Sequence, residues 1–86
     1  MANYTWKTMG LDNHKVQEVD IYASLDEVLE QMSQTAWEDD SGKLVDWVTD
    51  GERVVAVAVF GPEKELLVAC SDGRQLRYPM PERYKE

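Results

Sequence analysis

Carboxylates are the one reactive side chain this sequence holds in quantity, and they are gathered in one place. Twelve lie between Asp12 and Glu52 against two bases, Lys15 and Lys43, so that stretch carries −10. The rest of the chain has seven bases and five acids, or +2, which completes the net charge of −8. One half of the molecule is a concentrated anion. Such a surface repels nucleic acid and anionic membranes and attracts basic proteins. No direct contact with nucleic acid or membrane is expected.

Some of this acid has a local role. Asp26 and Glu27 suit the positive end of a helix dipole, and Asp50 and Asp72 each precede a glycine in a turn. Glu38, Asp39 and Asp40 differ. They follow the end of a predicted helix, where the dipole prefers cations and each carboxylate costs roughly 0.3–1 kcal/mol. Asp46, Asp50 and Glu52 extend the cluster, and Trp37 and Trp47 flank it. Carboxylates that pair with Arg and Lys, with tryptophan as an apolar anchor, have the composition of a contact surface for a basic protein. That reading expects Trp37 to be part-exposed. Glu18 and Asp20, two apart on one strand face, add charges about 6.6 Å apart. The competing reading is a solvated acidic surface that only confers solubility.

Other chemistry has less to work with. A hydrolase needs a nucleophile, a base and an orienting group. The chain has one Cys and one His. His14 sits in the turn-like run Gly10–His14, and Cys70 ends an apolar strand, where a thiol behaves as a small hydrophobe. One His and one Cys cannot build a structural zinc site without carboxylates. Glu38 to Gly42 lacks the alternating ligands and terminal Glu of a calcium loop. The glycines are scattered and form no phosphate loop. The expectation is a protein without metal or cofactor that is not an enzyme.

Eighty-six residues make one domain. The 43% apolar content and three Trp argue against disorder. No apolar run approaches the roughly 18–20 residues of a membrane span, and Met1 to Gly10 lacks the apolar segment of a signal peptide. A single cysteine fits a reducing compartment, most simply the cytoplasm.

The elements that must position these residues read as follows. Asn3 to Met9 and Val16 to Tyr22 alternate as strands and form a hairpin. Ser24-Leu25-Asp26-Glu27 has the capping-box pattern. Behind it Leu25, Val28, Leu29, Met32 and Ala36 form one apolar stripe, which predicts a helix from Leu25 to about Trp37. Lys43 to Thr49, Arg53 to Phe60, Glu65 to Cys70 and Arg74 to Tyr78 read as antiparallel strands. Asp50-Gly51, Gly61-Pro62 and Asp72-Gly73 separate them. The fold expected is α+β, with a single helix packed on a largely antiparallel, curved sheet of five or six strands. Residues 1–78 form the compact domain. Residues 79–86, with Pro79 and Pro81, form an extended C-terminal tail.

The strand Val54 to Phe60 is apolar on both faces and must be covered twice. Ala56 and Ala58 offer a shallow floor for the helix. Val55, Val57 and Val59 then point the other way. Left in water they forgo about 4–5 kcal/mol, at roughly 1.5 kcal/mol each. Either the sheet curls to cover them or a second chain does, as in a homodimer.

These readings lead to a small acidic binding protein that occludes a basic site on a partner protein, one that normally takes nucleic acid. In composition it resembles the host-factor inhibitors and immunity proteins of viruses and mobile elements. The alternative is a homo-oligomeric structural or accessory protein that uses its apolar sheet face.

Overall fold

The computed structural model of the chain describes residues 3–39 and 44–84. Six strands form one antiparallel sheet: β1 (Tyr4–Gly10), β2 (Val16–Tyr22), β3 (Leu44–Asp50), β4 (Arg53–Phe60), β5 (Glu65–Cys70) and β6 (Gln75–Pro79). One α-helix, α1 (Leu25–Thr35), lies between β2 and β3 and runs into a 3₁₀ turn, Ala36–Asp39. The spatial order is β2-β1-β3-β4-β5-β6. The chain therefore makes a hairpin, crosses over β1 with the helix, and returns as a four-stranded meander. The sheet is curved but unclosed, with β2 and β6 as its edges.

The helix starts where its cap dictates. Ser24 is extended (φ −138°, ψ 154°), and its hydroxyl accepts the Glu27 N–H at 3.2 Å. Val28, Leu29 and Met32 are fully buried, and with Ala36 they belong to one core with Trp6, Val48, Leu66 and Val68. Ala56 and Ala58 lie on the same, buried side of the sheet, as their small size requires. The turns follow the sequence too. Gly51 (φ 65°) and Gly73 (φ 97°) take the left-handed conformation that Asp-Gly hairpins need. Asp72 accepts the Arg74 backbone N–H at 3.0 Å and its guanidinium at 2.8 Å, and the backbone bond is the main force holding its carboxyl below the usual range.

Two β-bulges change which way side chains point. In β3–β4 the register runs Val48↔Ala56 and then Thr49↔Val54, so Val55 is an extra residue. It turns to the helix side and is buried, while Val54 takes the open face. The expected trio of Val55, Val57 and Val59 is therefore Val54, Val57 and Val59. In β1–β2 the register runs Trp6↔Asp20 and then Lys7↔Glu18, with Val19 extra. Glu18 and Asp20 are thus not on one face. Glu18 faces the open side beside Lys7, and Asp20 faces the helix side beside Trp6. Each bulge inserts one residue and so reverses the period-2 pattern beyond it.

The C-terminal segment corrects another expectation. Pro79 ends edge strand β6, where its missing N–H is harmless. The chain then folds back through a 3₁₀ turn, Glu82–Tyr84, rather than leaving as an extended arm. Met80 and Tyr84 pack against the core. The Arg83 guanidinium donates to the Gln34 carbonyl at 2.6 Å. The last turn of α1 has no basic residue of its own. Arg83 supplies the cation that the negative helix end prefers, from 49 residues away.

Three substitutions test this core by urea denaturation. Leu29→Ala should cost about 2–5 kcal/mol, and an unchanged midpoint would mean that the stripe is not core. Ser24→Ala should cost about 0.5–2 kcal/mol through loss of the cap. Arg83→Ala should cost about 0.5–1.5 kcal/mol, although Arg83 lies outside both the sheet and α1, because an orphan helix carbonyl loses its charged donor.

Candidate functional site

The residues proposed for a partner surface do not form one surface. Asp46 is 3% exposed and accepts the Trp6 indole N–H at 3.2 Å. The helix-side face of β3 carries it, opposite Ala58 and Thr8. Its role is to satisfy a buried indole. Trp37 is 5% exposed, not part-exposed. Its indole donates to the Ser33 carbonyl at 3.1 Å, and its ring meets Phe60 with centroids 4.6 Å apart. The 3₁₀ turn tightens the helix end and swings this ring inward, so Trp37 closes the helix rather than anchoring a partner.

Glu38 and Asp39 lie in that turn. Their side chains, and all of Asp40, fall outside the described residues. Asp50 is half-buried and ends β3 opposite Arg53 and Tyr4. Glu52 is exposed in the β3–β4 turn. Trp47 is half-buried on the open face, opposite Lys7 and Val57. It stands on the other side of the sheet from Asp46, its neighbour in sequence, because strand side chains alternate.

The structure instead brings together carboxylates from β2 and α1. Asp20, Tyr22, Glu27, Glu30 and Gln31 line an open hollow of about 370 Å³. Glu27, Glu30 and Gln31 stand at i, i+3 and i+4 and so share one side of the helix. Asp20 reaches the hollow because the Val19 bulge turns it to the helix side. Burial raises the Tyr22 hydroxyl above its usual pKa, and the adjacent Asp20 carboxylate, which it hydrogen-bonds, adds to the rise. Three carboxylates thus converge where no Lys or Arg is among the described lining residues. The helical spacing of Glu27 and Glu30 is visible in the sequence. The approach of Asp20 is not, since it depends on a bulge and on the sheet order.

The Cys70/His14 pair does not form. His14 is exposed in the β1–β2 turn, with φ 57°. Cys70 is on β5, separated from β1 by β3 and β4, which is about 14 Å at three strand spacings. Burial pushes the Cys70 thiol up, away from thiolate.

Among the described residues no helix is long and apolar enough to cross a membrane. Comparison with known protein families, curated proteins and solved structures finds no match to this chain.

The assignment of Asp46 to the core is open to test. Asp46→Ala should lower stability by about 1–3 kcal/mol, because it leaves the Trp6 N–H buried without this acceptor. Thermal and urea unfolding measure this. A fully stable Asp46→Ala variant would return Asp46 to the surface.

Proposed function

We propose that the protein is a small acidic binding protein, not an enzyme, that occludes a basic site on a partner protein. The contact surface is the hollow between β2 and α1. The observation that carries this reading is the convergence of Asp20, Glu27 and Glu30 on one concave surface with no base among its described lining residues. A concave, single-signed site concentrates potential and speeds encounter with an oppositely charged surface. Carboxylates in a hollow can take an Arg fork in a bidentate pair. Such a pair desolvates both groups and raises specificity as well as association rate. A partner site built for nucleic acid has the matching charge, and filling it with carboxylates blocks it sterically and electrostatically. The location this implies is the cytoplasm, in keeping with a single thiol.

The test is a triple variant, Asp20→Asn, Glu27→Gln and Glu30→Gln. It should fold as well as wild type, since like charges are removed and Gln still serves the capping box. Both proteins are used to capture partners from cell extract at low and moderate salt. A basic protein bound by wild type should be lost by the variant. Its titration against wild type should weaken as salt rises, because exposed charges are screened over about 8 Å at physiological ionic strength. Equal affinity for the two proteins across the salt series would sink the proposal.

A further inference from the structure

Around Val57, Val59 and the β2 edge, the open face of the sheet has no cover among the described residues. On this face Val16, Met9 and Val45 pair across β2, β1 and β3, and Val59, Leu67 and Arg77 pair across β4, β5 and β6. The next row has Trp47, Val57 and Ala69 at its centre. Val57 is 42% exposed and Val59 44%, and at the β2 edge Val16 and Ile21 exceed half. The face is also concave at one end: Val57, Val59, Leu67, Ala69, Gln75 and Arg77 line an open hollow of about 550 Å³. Contiguous apolar surface of this extent marks an interface.

We infer that this face is covered by the same face of a second copy, in a two-fold sandwich whose axis runs along the strands between β3 and β4. Three observations favour a second copy. The first is area. Six strands at about 4.8 Å and about seven residues at about 3.3 Å give a projected face of roughly 650 Å². That meets the lower range of a stable interface, about 600–1,000 Å² per partner. The second is charge. The open face is uncharged over β3 and β4. Glu18 and Lys7 lie at the β2–β1 end, and Arg77, paired with Glu65 at 3.2 Å, lies at the β6–β5 end. An axis along the strands lays β2 over the partner's β6 and β1 over its β5. Glu18 then faces Gln75 of the second copy, two residues along β6 from its Arg77, so opposite charges are neighbours twice at the rim. An axis across the strands would lay Glu18 beside Glu18.

The third is shape. The strand-parallel axis sets Trp47 against the second copy's Val57 and Val45 against its Val59. It also sets β1, with the adaptable side chain of Met9, over the hollow at β5. Large side chains thus meet small ones, as face-to-face sheets about 10 Å apart require. Edge pairing is disfavoured by comparison. Edge strand β2 carries Glu18 and Asp20, and edge strand β6 carries Arg77 and Pro79, the kinds of residue that block strand addition.

Sedimentation equilibrium decides this. At about 100 µM the wild type should be a dimer, twice the 9.9 kDa chain, because that concentration lies well above the micromolar Kd at the weak end of standard-size interfaces. Val57→Lys should be a monomer that keeps its circular dichroism, because position 57 is already solvated in the single chain. Glu18→Lys and Arg77→Glu should each weaken the dimer by roughly 2- to 10-fold. Mixed one to one they should restore it, because each rim then has opposite charges as neighbours again. A monomeric wild type, a dimeric Val57→Lys, a mixture no tighter than its components, or a ladder of larger oligomers would each overturn the inference.

Discussion

One helix cannot cover two faces of a six-stranded sheet, and the rest of the molecule follows from that shortage. Helix α1 places Val28, Leu29 and Met32 on a floor made shallow by Ala56 and Ala58. Each large aliphatic side chain buried there contributes about 1.5–3 kcal/mol relative to exposure. The floor must be small because the helix axis has to approach the sheet closely. Everything apolar on the opposite face is then left to water or to another molecule. The two faces of β4 express this directly, with Ala56 and Ala58 under the helix and Val57 and Val59 away from it.

The helix is also the reason for the fold's two long-range polar devices. Its negative end is followed by Glu38 and Asp39, which electrostatics disfavours there. Trp37, from the next turn, and Arg83, from the C-terminal segment, each take one terminal carbonyl. The C-terminal segment is therefore part of the domain. Asp46 plays a comparable part beneath the helix. A carboxylate at a buried strand position needs a donor, and Trp6 supplies one from the neighbouring strand. No buried side-chain nitrogen or oxygen among the described residues lacks a partner.

Local features were legible in the sequence because they rest on local physics. The capping box at Ser24, the stripe through Leu29 and the Asp-Gly turns all involve residues within a few positions of each other. The strands from Val16 to Tyr22, Arg53 to Phe60 and Glu65 to Cys70 have the ends that alternation and turns predict. The candidate site was not legible, for two reasons. A bulge adds one residue without altering composition, so period-2 reading failed at Val55 and at Asp20. Proximity in sequence also misled. Asp46 and Trp47 are adjacent yet lie on opposite sides of the sheet, while Asp20 and Glu30 meet only because the chain doubles back after Tyr22.

The two proposed surfaces are compatible, because they lie on opposite sides of the sheet. Asp20 is turned to the helix side and Val57 to the open side, so a sandwich closed on the open faces leaves both carboxylate hollows outward. They would then point away from each other, related by the two-fold axis. A partner with a single basic site would meet each hollow independently. A partner that is itself two-fold, or that repeats along a polymer, could engage both. The second contact would then gain from effective concentration without any new interaction. That gain requires the sites to match the span of the dimer, and it vanishes otherwise. The geometry of the apolar face would thus set which basic partners the acidic faces can hold tightly. The acid determines the sign of the partner, and the sandwich would determine its symmetry.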